Sequence, residues 1–188
     1  METPLRYVDS EGALEIEMER IVSSGIREIA FDLEGEYNLH RYGMHLCLVQ
    51  LFDGQQCVLV DTVKIKRPDA LDLLFRSPVE KVMYSPGNDL MLLDHLFGFH
   101  PSPVCDLQSA AKLLGHEKLS LATVTREELG VELRKSKTRQ RANWNARPLR
   151  RSLIEYAMDD VTYLLELKKV LLGKLAQRNL LEEFGRIN

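Results

Sequence analysis

Residues 29–61 read IAFDLEGEYNLHRYGMHLCLVQLFDGQQCVLVD, and this stretch decides the fold. Ile29-Ala-Phe-Asp-Leu-Glu34 is rich in apolar residues and reads as a strand. Met44 to Phe52 reads as a second strand, closed by the tight-turn dipeptide Asp53-Gly54, and Cys57-Val-Leu-Val-Asp61 reads as a third. Three such runs in succession predict a hairpin-linked antiparallel sheet. Within the first strand Asp32 and Glu34 are two residues apart, so they point to one face while Phe31 and Leu33 point to the other. Two carboxylates side by side in an apolar strand repel one another and are costly to bury unless a cation lies between them. The plainer alternative is a frayed strand end facing water.

Outward from this stretch the pattern alternates. Ser10 is placed to cap a helix carrying Leu14, Met18, Ile21 and Val22 on one face, ended by Gly25. Helices are expected at residues 68–75, 89–97, 106–114, 120–129 and 153–175, with strands at residues 79–84 and 104–105. Antiparallel strands followed by strand–helix alternation predict an α/β protein with a mixed β-sheet. The 188 residues fit one domain, with no internal repeat or dividing linker.

Composition narrows the function classes. The net charge is −3, from 25 basic and 28 acidic residues, but the charge is unevenly placed. Eight Lys/Arg and no acid lie between Arg134 and Arg151, so the remainder, with 17 bases against 28 acids, is strongly acidic. Such a run is either a solvated loop or a rim that tracks phosphates; Lys135, Lys137, Arg139, Arg141 and Arg147 are the candidate nucleic-acid contacts. Trp144 inside it is expected in the core rather than as a stacking platform. Three scattered cysteines (Cys47, Cys57, Cys105) predict neither disulfide nor zinc site. Neither a leader nor an apolar run of membrane-spanning length is present, so a cytoplasmic protein without a membrane partner is expected.

Two further sites carry acids. Asp89 follows Tyr84-Ser-Pro-Gly-Asn, a strand-to-helix turn, where an acid also suits the helix dipole. Tyr156 and Asp160 are four apart on a helix and project together; Asp159, three from the tyrosine, competes for the same role.

As a set, these residues resemble the DEDD superfamily of 3′–5′ exonucleases. Phe31-Asp-Leu-Glu34 is similar to its first motif and KVMYSPGNDLMLL, residues 81–93, to its second. Tyr156-Ala-Met-Asp-Asp160-Val resembles the third in its tyrosine form, the DEDDy branch. Residues 46–50, 106–115, 119–130 and 136–149 look like those of ribonuclease D, over roughly residues 10 to 175 in all. The resemblance implies a ribonuclease H-like sheet flanked by helices. It implies two Mg²⁺ or Mn²⁺ ions held by Asp32, Glu34, Asp89 and Asp160, with Asp32 bridging them and Tyr156 orienting the attacking water. The expected activity is 3′-to-5′ hydrolysis of short or single-stranded RNA to nucleoside 5′-monophosphates. The alternatives are a DNA exonuclease or a catalytically silent nucleic-acid-binding module.

Two positions depart from ribonuclease D: Tyr84 stands where His is usual and Asn143 where Asp is usual, which predicts altered substrate handling. Ribonuclease D also carries helical accessory domains after its nuclease domain. The expectation here is a single exonuclease domain over residues 1–188, acting on short substrates or oligomerising to extend its binding surface.

Overall fold

The computed structural model describes residues 3–134 and 137–188, the side chain of Lys137 excepted. The three strands read from the sequence form the centre of a six-stranded sheet: β2 (Glu28–Tyr37), β3 (Met44–Phe52) and β4 (Cys57–Val60). β2 pairs antiparallel with β3, and β3 antiparallel with β4. β5 (Glu80–Met83) lies parallel to β2, and β6 (Val104–Asp106) parallel to β5. The order is β1-β4-β3-β2-β5-β6, a mixed sheet.

β1 (Leu5–Val8), at the far edge, is a strand the sequence pattern did not show. Its four residues pair parallel with β4 from Leu5↔Cys57 to Val8↔Val60. Tertiary ties hold it: Arg6 forms an ion pair with the fully buried Glu17, and the Tyr7 hydroxyl donates to Asp61 at 2.6 Å.

Strand alternation sorts the core onto two faces. Ile29, Phe31, Leu33, Val49 and Leu51 pack under α1 (Glu11–Ser23), α2 (Leu71–Arg76) and α3 (Gly87–Phe97). On the opposite face Ala30, Val82 and Cys105 meet α4 (Leu107–Leu113), α5 (Leu121–Leu129), α8 (Leu164–Gln177) and α9 (Leu181–Ile187). Leu48 and Leu59, on that second face, pack with Trp144 and with Leu153, Tyr156 and Ala157 of α7 (Arg151–Thr162). A short α6 (Lys137–Gln140) lies in the basic stretch. Among the described residues no helix is long and apolar enough to cross a membrane.

The long C-terminal helix expected over residues 153–175 is two helices, broken at Tyr163 without Gly or Pro. Thr162 stands at the break, its hydroxyl donating back to the Met158 carbonyl at 2.7 Å, a bond of the kind that bends helices. The break lets α7 cover β3 while α8 turns along β2 and β5. Lys168 of α8 then binds Glu28 and Glu80, neighbours in register at the start of the parallel pair.

Candidate active site

β2 places Asp32 and Glu34 on the face it shares with Ala30, toward α7, as the period of two requires. The ladder between β2 and β5 ends at Ala30↔Val82, so no strand flanks Asp32 on that side. Past Met83 the chain turns sharply. Ser85 adopts φ 57 there, its N–H held by Asp106 Oδ1 at 2.8 Å, and α3 begins at Gly87. Asp89, in the first turn of α3, is thereby set beside the carboxyl end of the parallel pair, where open α/β sheets bind ligands.

A β-bulge follows Glu34: it opposes Leu48, while Gly35 opposes Leu46, which leaves Cys47 as the extra residue. Glycine leaves room for close packing at this bend. A Cβ on Gly35 would lie 2.8 Å from Leu92 Cδ2 of α3 and 2.8 Å from Tyr37 Cε2. Close approach of α3 to the bulge helps bring Asp89 within reach of the Asp32 charge.

The electrostatics record that convergence. Burial, with the Asp32 charge beside it, holds the Asp89 carboxyl well above the usual carboxylate range. Burial and then Glu34 and Asp32 push the Tyr156 phenol far above its ordinary value. Tyr37, raised to about 12 by burial and then by Asp89 and Glu34, belongs to the same cluster. Asp160 lies one turn beyond Tyr156 on α7 and is 3% exposed, covered by the sheet.

Asp159 is excluded from the competing role. Arg134 grips it with Nε at 2.9 Å, Nη2 at 2.8 Å and its backbone N–H at 3.0 Å. It anchors the start of the basic stretch.

That stretch is in part internal. Trp144 is buried, its ring 6.0 Å from that of Tyr156. Arg147 corrects the sequence expectation. Its guanidinium donates twice to the buried Asp61, at 2.6 Å each, and also to the carbonyls of Cys47, Trp144 and Ala146. With its donors committed inward, Arg147 is a clamp between the basic stretch and the β3–β4 edge, not a phosphate contact. Arg141 is exposed, and its carbonyl bonds His40 Nε2 at 2.9 Å, joining the stretch to the β2–β3 loop. Arg139 donates to the Arg134 carbonyl at 2.7 Å. Lys135 and the Lys137 side chain lie outside the described residues.

The two departures from the resemblance have structural roles. Tyr84 donates its hydroxyl to the Leu119 carbonyl at 3.0 Å, and Asn143 Oδ1 accepts the Asn145 N–H at 3.1 Å.

As an oxygen-only donor set whose like charges crowd one another, Asp32, Glu34, Asp89 and Asp160 fit hard divalent cations. Among the described residues no group of three or more His, Cys, Asp or Glu side chains is gathered around one ion position. Two residues of the region were missed from sequence. Tyr37 gave no signal beyond its place in the strand. Gln50 did: it is a lone amide in an apolar strand, opposite Asp32 in register.

Known proteins resemble the chain over most of its length. Residues 5–176 match a family described as 3′–5′ exonuclease. The chain is 31% identical over 153 residues to Ribonuclease D of Cronobacter turicensis, covering 80% of this chain and 41% of that protein. The crystal structure of Escherichia coli RNase D, an exoribonuclease involved in structured RNA processing, superposes with a TM-score of 0.85 at 29% identity, covering 98% of this chain and 48% of that one. Brucella melitensis NrnC bound to pGG superposes with a TM-score of 0.78 at 26% identity, covering 97% of this chain and 87% of that one. The chain thus spans less than half the length of the Ribonuclease D relatives it matches.

Proposed function

The chain belongs to the 3′–5′ exonuclease family, and from that premise we propose that it hydrolyses RNA from the 3′ end, releasing nucleoside 5′-monophosphates with two divalent ions. The observation that carries this reading is the convergence of Asp32, Glu34, Asp89 and Tyr156 beyond the carboxyl end of the parallel β2–β5 pair. Asp32, Glu34, Asp89 and Asp160 are the residues that would hold Mg²⁺ or Mn²⁺. Bound there, the ions would supply a water of lowered pKa and offset charge on the phosphodiester.

This chain's own groups do the rest. Tyr156 keeps its proton at any physiological pH, so it orients the attacking water by hydrogen bonding and is not the base. Trp144, packed against Tyr156, limits where the phenol can point. The water oxygen forms the new bond to phosphorus as the 3′ oxygen of the penultimate nucleotide leaves. Arg141, exposed and tied through its backbone to the β2–β3 loop, is placed to meet a strand phosphate. Short substrates are favoured by likeness to NrnC, whose structure with pGG is matched over most of its length.

The test is digestion of 5′-labelled RNA, from dinucleotides to about 20-mers (a range bracketing single-strand site sizes), with Mn²⁺ or EDTA and with Asp32→Asn in parallel. Metal-dependent shortening from the 3′ end, lost in the variant, is expected. Equal or faster digestion of matched DNA would move the substrate to DNA, and no cleavage of either would leave a binding module.

A further inference from the structure

Gln50 is the one residue of the β3 core that the fold does not account for. It is fully buried in mid-strand, and among the described residues neither its carboxamide nitrogen nor its carboxamide oxygen has a hydrogen-bond partner. Buried polar groups are nearly always satisfied, and a Leu or Met would fill this position at no such cost.

Its location supplies the reason. Gln50 opposes Asp32 in the β2–β3 register and Leu59 in the β3–β4 register, so all three side chains share one face. Directly opposed residues have Cβ atoms roughly 5 Å apart. Leu59 and Leu48, which flank Gln50 on that face, pack with Tyr156 and Ala157, so the carboxamide lies beneath the turn of α7 that leads to Asp160. A ligating carboxylate needs its orientation fixed by a further hydrogen bond. Gln50 offers the donor, rigidly packed and not used by anything else described.

We propose that Gln50 is a positioning residue: its carboxamide N–H donates to the Asp32 carboxylate and holds it in the orientation that ligates the divalent ion. This rests on the metal-site reading above. Left without a partner in mid-strand, the Gln50 carboxamide is available to the Asp32 carboxylate on the same face. Substitution by a residue of like volume should therefore spare the fold and weaken the ion.

The experiment titrates Mn²⁺ alone into the wild type, Gln50→Met, Gln50→Leu and Asp32→Asn, with thermal unfolding of each in EDTA. Two apolar variants are used so that one misfolded protein does not leave the question open. The expected result is a metal-free melting temperature equal to or above wild type, with Mn²⁺ binding weakened roughly 10- to 100-fold. The kcat of the variant should recover as Mn²⁺ is raised, a rescue that a packing defect would not show. Mn²⁺ affinity within twofold of wild type in a folded Gln50 variant, while Asp32→Asn loses the ion, would overturn the role of Gln50 and leave the metal site standing. Unchanged Mn²⁺ binding in Asp32→Asn would overturn both.

Discussion

Three residues give separate tests. Tyr156→Phe keeps the ring against Trp144 and deletes only the hydroxyl, so kcat should fall about 10²-fold with the fold unchanged, as for a lost orienting hydrogen bond. Arg147→Met leaves the buried Asp61 carboxylate with Tyr7 and two backbone N–H groups, at 2.6 Å and 3.2 Å, as remaining partners. The expected loss is about 3 kcal/mol in urea unfolding, the low end for breaking a buried ion pair. Lys81 is fully buried on β5, its ammonium donating to the carbonyls of Ser77 at 3.1 Å and Ser102 at 2.7 Å. Burial lowers its pKa from 10.5 to about 8. Below pH 8 both states carry the proton; between there and 10.5 the unfolded chain binds more protons, so stability rises with pH. Across that window the wild type should gain roughly 1–3 kcal/mol relative to Lys81→Met, measured by urea unfolding at each pH. At this scale the common face of Asp32 and Glu34 was legible because a period of two is geometric. Arg147 was misread because composition cannot tell a cation that faces phosphate from one that faces a buried aspartate.

The elements matter for how they deliver those residues. The bulge after Glu34 and the close contact of α3 at Gly35 form one device that brings Asp89 to β2. Gly35→Ala displaces the ends of the Leu92 and Tyr37 side chains, and the part of that shift that reaches α3 should lower kcat, by up to roughly 10²-fold for a displacement near 1 Å at a reacting centre. Urea unfolding should show a smaller defect of about 1–2 kcal/mol from overpacking. Asp106 works at the other end of the same turn, holding the Ser85 N–H and capping α4 through the Gln108 N–H at 2.9 Å. Most of these elements were readable from periodicity. β1 was not, because its evidence is the partners it finds in Glu17 and Asp61. The break at Tyr163 was not either, because no Gly or Pro marks it; what stands there is a threonine hydroxyl returning to Met158. Asp89 was ambiguous for a similar reason: only the fold distinguishes an acid that serves a helix dipole from one aimed at Asp32.

At the scale of the molecule, an acidic body carries one basic stretch, which packs against the active-site face of the sheet through Trp144 and is pinned by Arg134 and Arg147. Strand binding should therefore weaken with salt in proportion to the phosphates neutralised, by about 0.7 in log–log slope per contact on single strands. Arg141→Ala should reduce that slope by less than one unit and weaken all sequences alike, since phosphate contacts read no base. Arg147→Met, if folded, should leave the slope unchanged. The central claim is that these carboxylates and one phenol remove nucleotides singly from a 3′ end. It is tested most directly by a single turnover on RNA labelled at its 3′-terminal nucleotide, with Mn²⁺ present. The account predicts that all label leaves in the first step as a nucleoside 5′-monophosphate, and that none leaves with Asp32→Asn. Label released in an oligonucleotide, or retained while the 5′ end shortens, would contradict it.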